Sequence, residues 1–248
     1  MIPIKGKRAL ILMQGAGARL AELFAGLSAV IKPGISTLEI DQWIENELAR
    51  RQLVSQSKGY HGYRHASCIS INDVLVHGIP SARIKVREND LVKVDICAAW
   101  KGYCADSARC FLMEAASKEA RALVNAAEEA LNRGIEAALA GGHLHDISSV
   151  IQQSTESKGY GVVRDFCGHG IGHKMHEEPE IPNFGKAGTG PVLKSGMALA
   201  LEPMITAGGY QVAVEADGWT VRTVDGSLAA HIEDTVIITD NGPEVITR

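Results

Sequence analysis

The chain has 248 residues, 46% of them hydrophobic and 22% charged, with a formal net charge of −4. That length fits one large domain or two small ones, and the composition excludes a disordered chain. No basic excess marks nucleic acid as the main partner, and the lack of about 18 uninterrupted apolar residues predicts no membrane span.

Near the N-terminus, Lys5, Lys7 and Arg8 precede ALILM in the manner of a signal peptide, but Gln14 and Arg19 interrupt the apolar run and no clean cleavage site follows. Residues 7–31 instead carry helical spacing through Leu10, Met13, Leu20, Leu23, Phe24, Leu27 and Ile31, ended by Pro33-Gly34. A second helix is predicted from Ser36, where Ser36-x-x-Glu39 forms a capping box, to about Arg51. Residues 57–66 read as a Gly- and Tyr-rich loop, and two strands follow within 68–80. His77 stands just before Gly78-Ile79-Pro80, a turn that leaves its imidazole at a strand end.

Residues 91–111, LVKVDICAAWKGYCADSARCF, read as a hairpin around a two-residue Lys101-Gly102 turn. Trp100 then pairs with Tyr103 and Cys97 with Asp106. Alternation puts Asp95 and Cys97 on one face, so Asp95 and Asp106 become diagonal neighbours roughly 7–8 Å apart at Cα. Two carboxylates so close either share a proton or a cation, or they lie on a solvated face.

Residues 117–139 are predicted as the longest helix, with Leu123, Ala127, Leu131, Ile135 and Leu139 on its apolar stripe, and a further helix spans about 145–157. Ser57-Lys58-Gly59-Tyr60 recurs as Ser157-Lys158-Gly159-Tyr160, and the order helix, helix, loop, strands recurs with it. With no Pro- or Ser-rich linker between them, one catalytic domain of two pseudo-symmetric halves, about 1–115 and 116–248, is expected.

Residues 167–179, CGHGIGHKMHEEP, hold three glycines that disfavour a helix. His169 and His173 lack a general-base Glu between them, so a zincin motif is excluded. Strand Met197–Leu201 delivers Glu202 before Pro203, and a strand over 229–239 puts His231 and Glu233 on one face. A Glu within apolar surroundings is unfavourable without a partner. Asp95, Asp106, His169, Glu202 and Glu233 together supply four carboxylates and one imidazole, whose charge balances two divalent cations such as Mn, Fe, Co or Zn. The five cysteines, Cys68, Cys97, Cys104, Cys110 and Cys167, are odd in number and form no C-x-x-C pair, as expected of reduced thiols in the cytoplasm.

On the HGIP turn at His77, the Asp95–Asp106 spacing, GHGIG at His169, HEEP at His176, EPM at Glu202 and Glu233 before TVIITDNG, the whole chain resembles the type I methionine aminopeptidases. The resemblance implies an α+β pita-bread fold, two related αβ halves around a central antiparallel sheet that sandwich a dinuclear metal centre. It implies metal ligation by Asp95, Asp106, His169, Glu202 and Glu233, attack by a bridging hydroxide, and substrate contacts from His77 and His176, with Glu202 also moving the proton. Tyr60, Tyr63, Cys68 and Trp219 match the methionine pocket, and Met175 and His176 are expected to contact the substrate beside them. Met175 and Cys97 depart from the family pattern, which commonly has an aromatic residue and Thr there, and Cys97 is placed on the metal-side face.

The implied activity is removal of the initiator methionine from nascent chains near the ribosome when the next residue is small; with no obvious seam in the sequence, a monomer is expected. Ile2 is too large for that rule, so Met1 is expected to be retained. The rival readings are a proline-directed pita-bread peptidase, whose relatives carry an additional N-terminal domain, and a binding protein that kept the fold without the chemistry.

Overall fold

A computed structural model of the protein describes residues 2–248; the expectation about Met1 lies outside them. In chain order the elements are α1 (Lys7–Val30), α2 (Thr37–Arg50), β1 (Val54–Ser55), β2 (Cys68–Ile71), β3 (Val74–Val76), β4 (Leu91–Trp100), β5 (Tyr103–Leu112), α3 (Lys118–Ala137) and α4 (Leu144–Glu156). Then follow β6 (Gly161–Val162), β7 (Cys167–Gly170), β8 (Glu177–Pro182), β9 (Ala198–Leu201), β10 (Met204–Thr206), β11 (Val212–Val214), β12 (Val221–Thr223), β13 (Ala229–His231), β14 (Glu233–Thr239) and β15 (Gly242–Val245).

The capping box forms as expected: Glu39 N–H donates to Ser36 Oγ at 3.2 Å, and Ser36 N–H donates to the Glu39 carboxylate at 2.8 Å. The longest helix is α1, with 24 residues, not α3, with 20. α3 also ends at Ala137, before Leu139, because Ala138 leaves helical dihedrals (ψ 62°); Leu139 therefore lies off the buried stripe, 49% exposed. By length and composition α1 would suffice to cross a membrane, but Met13, Ala16, Leu20, Leu23 and Leu27 are buried in a core shared with β4 and β5.

Nine strands make one antiparallel sheet in the order β1-β4-β5-β14-β9-β7-β8, with β2 added to β4 and β15 to β14. The halves meet where β5 pairs with β14, Glu233 opposite Ala108. Helices α1 and α2 share one hydrophobic cluster with β4 and β5, and α3 and α4 share another with β9 and β14. Two smaller sheets, β13-β10-β6 and β11-β12-β3, complete the fold. The expected strand over 229–239 is split: 229–231 pairs with β10, and Glu233 onward joins the main sheet. The repeated tetrapeptides are not equivalent, since Ser57–Tyr60 follows β1 whereas Ser157–Tyr160 precedes β6; the repeated order of two helices and then strands does hold.

Candidate metal centre and substrate cavity

The hairpin register is the one expected, with Trp100 opposite Tyr103 and Cys97 opposite Asp106. Lys101 (φ 50°) and Gly102 (φ 82°) both take left-handed dihedrals, the geometry of a two-residue turn that matches the right-handed twist of the paired strands. Asp95 lies opposite Ala108, and Ala108 in turn lies opposite Glu233, so two carboxylates flank one small residue on a shared face. Along β5, Asp106 occupies the same face. His169 pairs with Ala200, and Ala200 with Thr235, which shares parity with Glu233, so the imidazole joins that face. Glu202 follows two residues after Ala200. Register thus gathers four side chains from four strands, and Glu202 joins them from just past the end of a fifth, β9.

Close backbone approach holds the His169 segment in place. A Cβ on Gly168 would lie 2.4 Å from the Ala200 carbonyl oxygen, and one on Gly170 2.1 Å from that of Glu178. The His169 Nδ1–H donates to the Gly170 carbonyl at 3.0 Å, which leaves Nε2 a bare acceptor aimed at the carboxylates. Nε2 lies 3.6 Å from Glu202 Oε1 and 3.9 Å from Asp106 Oδ2. Ligand atoms of Asp106, His169 and Glu233 all fall within 4.8 Å of one another. Asp95 and Glu202 stand outside that trio, in the wall of the same cavity.

The electrostatics match a cation site. Burial, with repulsion from Glu202, pushes Asp106 up to about 7, and burial pushes Glu202 up to about 8. Asp95 and Glu233 are pushed well above the carboxylate range by burial and by the charge of Asp106. Burial pulls His169 and His77 down to about 4, so both imidazoles are neutral at pH 7. Asp106 Oδ1 and Glu233 Oε1 are buried with no hydrogen-bond partner. Unmatched acceptors and crowded carboxylates beside a bare imidazole nitrogen suit one or more divalent cations, and the donor set fits them.

This cluster floors a cavity of about 900 Å³ whose wall includes Tyr60, Tyr63, Cys68, Met175 and Trp219. His77 sits in the left-handed region (φ 57°) at the predicted turn, its ring edge-on to Phe166 with centroids 5.8 Å apart. Non-glycine residues take such dihedrals at a cost, typically at functional positions. Tyr60 O–H lies 3.0 Å from His176 Nδ1, and the His176 and His169 rings meet edge-to-face at 4.5 Å. Trp219 is delivered by the β11–β12 turn, in which Asp217 accepts from Trp219 N and Thr220 N at 2.8 Å each, and its ring lies 4.9 Å from that of Tyr63.

Every residue expected at the site lines this one cavity, and Cys97 does face it. Two contributors received no role from the sequence. His231 Nε2 lies 3.2 Å from Glu202 Oε2, although its shared parity with Glu233 was visible; Phe166, which steadies His77, carries no sequence signal.

A family profile described as Metallopeptidase family M24 matches residues 11–240. The chain belongs to metallopeptidase family M24. A methionine aminopeptidase of Clostridium acetobutylicum is 45% identical over 247 residues, covering 100% of this chain and 99% of its own length. The crystal structure of a methionine aminopeptidase from Thermotoga maritima superposes with a TM-score of 0.98 at 39% identity, covering 100% of both chains. An Xaa-Pro dipeptidase from Bacillus anthracis shares the fold at TM-score 0.80 and 26% identity, but this chain covers only 62% of it. Within M24 the chain thus groups with the methionine aminopeptidases and is a metallo-exopeptidase on the pita-bread fold.

Proposed function

We propose that this M24 enzyme removes the N-terminal methionine of peptides and nascent chains whose next residue is small, acting as a monomeric single catalytic domain. The observation that carries this reading is the cluster of four carboxylates and His169, with Asp106 and Glu233 buried among them, that floors an aromatic, thioether-lined cavity. Asp95, Asp106, His169, Glu202 and Glu233 would hold two divalent cations, of which Mn, Fe, Co and Zn all suit such donors. When bound, such cations lower the pKa of water and polarise a carbonyl.

The chain's own groups supply the rest. Tyr60, Tyr63, Cys68, Met175 and Trp219 bury the substrate's methionine side chain, for which a flexible thioether such as Met175 is an adaptable neighbour. His77, neutral and half-buried, donates a hydrogen bond to the scissile peptide group. With the Tyr60 hydroxyl donating to Nδ1, His176 carries its proton on Nε2 and stabilises the charge that develops on the carbonyl oxygen. Glu202, half-buried at the cavity floor, accepts the proton of the attacking water and returns it to the leaving amine. The carboxylates also receive the substrate's free α-amino group, which confines cleavage to N-termini.

The test strips the protein with chelator, restores Mn, Fe, Co or Zn singly, and follows peptides beginning Met-Gly, Met-Lys, Leu-Gly and Ala-Pro by mass spectrometry. Metal-dependent loss of Met from Met-Gly alone is the expected result. Cleavage of Ala-Pro instead moves the chain to the proline-directed branch, and no cleavage with any metal supports a binding role.

A further inference from the structure

Lys93 is a charged side chain for which the chemistry above has no part, and it is almost completely buried, 1% exposed, near the start of β4. It pairs with Ser70 on β2 and Cys110 on β5, and alternation puts it on the face that carries Asp95 and Cys97. Its Nζ donates to the main-chain carbonyl of Asn72 at 2.7 Å and to that of Ala229 at 2.8 Å. Among the described residues these two oxygens are its only hydrogen-bond partners. An ammonium buried without a carboxylate partner is unfavourable unless its protons are well matched, and two converging carbonyls provide that match.

The two carbonyls belong to different halves of the chain. Asn72 occupies the turn between β2 and β3 in left-handed geometry (φ 54°), fixed by its side-chain amide donating to Asp90 at 2.8 Å and by its Oδ1 accepting from Leu91 N at 2.9 Å. From Asn72, β3 runs directly to His77. Ala229 opens β13, two residues before His231 and four before Glu233, and its own N–H donates to the Asn72 carbonyl at 3.1 Å. Lys93 therefore ties the strand of Asp95 to the start of both segments that deliver the other side chains. It also grips β13 just before Ile232, where the chain passes from the small sheet into the main one.

We propose that Lys93 is a positioning residue whose ammonium, by clasping the Asn72 and Ala229 carbonyls, sets the spacing between the His77 and His231 imidazoles and the Asp95 and Glu233 carboxylates. Its kinetic consequence rests on the methionine-removal reading; its consequence for metal affinity does not.

The test compares wild type, Lys93→Met, which keeps an unbranched stem but no donor, and Lys93→Ala with and without methylammonium. Lys93→Met is expected to melt cooperatively, bind Mn(II) about tenfold more weakly by calorimetry, and lose roughly 10–100-fold in kcat on a Met-Gly peptide, with KM within about threefold. Methylammonium is expected to restore affinity and rate to Lys93→Ala and to leave wild type unchanged. A folded Lys93→Met with wild-type affinity and kcat overturns the proposal. So does a loss that only tracks the folded fraction and does not respond to methylammonium. If Lys93→Met does not fold, Lys93→Ala decides: recovered affinity supports positioning, and a recovered melt without recovered affinity overturns it. Wild type that binds Mn(II) but releases no methionine would sink the substrate reading alone, leaving the affinity arm to judge Lys93.

Discussion

Removing metal from this protein should make its stability fall as pH rises from 6.5 to 8. Asp106 at about 7 and Glu202 at about 8 lie above their unfolded values, so in that window the folded state binds more protons than the unfolded one. A group of this kind stabilises below its folded pKa and loses that contribution as pH climbs through it. The neutral histidines act in the opposite sense, since His77 and His169 at about 4 gain stability between pH 4 and their unfolded value near 6.5. At pH 6.5 each of them still has about 0.4 kcal/mol to gain, because the unfolded imidazole is half protonated there, and this offsets part of the carboxylate loss; buried Lys93, at about 8, and the thiols respond at the upper edge or beyond. Over the window Asp106 and Glu202 together give up about 2 kcal/mol and the two histidines return somewhat under about 1 kcal/mol, a net loss that for a chain of this size lowers Tm by roughly 3–6 °C. Asp95 and Glu233, also raised, add to the fall. Thermal melts of chelator-treated protein at half-unit pH steps measure this, and restored Mn(II) should abolish the slope by holding the carboxylates ionised. A metal-free Tm that is flat or rises between pH 6.5 and 8 would refute the claim that these carboxylates crowd one water-poor site.

Glu202→Gln should lower kcat by about 10²–10⁴-fold with KM within a few-fold, since the amide cannot carry a proton; steady-state rates on Met-Gly peptides read this directly. Trp219→Ala opens the cavity wall beside Tyr63 and should reduce kcat/KM by about 10–200-fold, mostly through KM, while calorimetric metal affinity stays at the wild-type value. Asp41→Ala tests the loop behind Tyr63. One Asp41 oxygen accepts from Ala66 N, Ser67 N and Ser67 Oγ at 2.8–3.0 Å, and the other lies 3.0 Å from His65 Nδ1. Stranding those donors should cost about 3 kcal/mol, seen as a Tm loss of roughly 6–12 °C.

What could be read from the sequence followed from local rules. A period of two and a Lys-Gly turn fix the β4–β5 register to the residue, so the diagonal of Asp95 and Asp106 is already present in LVKVDICAAWKGYCADSARCF. Ser36 and Glu39 carry the start of α2 in the same way. Local rules mislead where a periodic pattern outlasts its element: Leu139 continues the spacing of Leu131 and Ile135, yet the backbone has turned away at Ala138 and the side chain is half exposed. They give nothing where the deciding partner is far along the chain. AAHIEDTVIIT is uniformly strand-like, and its division at Ile232 depends on β10 taking one part and β9 and β5 the other. Lys93 is the sharpest case. In LVKVDIC it has the appearance of a polar position on an otherwise apolar strand, for which solvent exposure would be the ordinary reading. Only when β2 and β5 flank β4, and Ala229 arrives from 136 residues away, does the same lysine become an internal cation with two carbonyls to hold. The candidate ligands are legible because each stands on a short motif. The clasp is not, because neither carbonyl leaves any trace in residue identity.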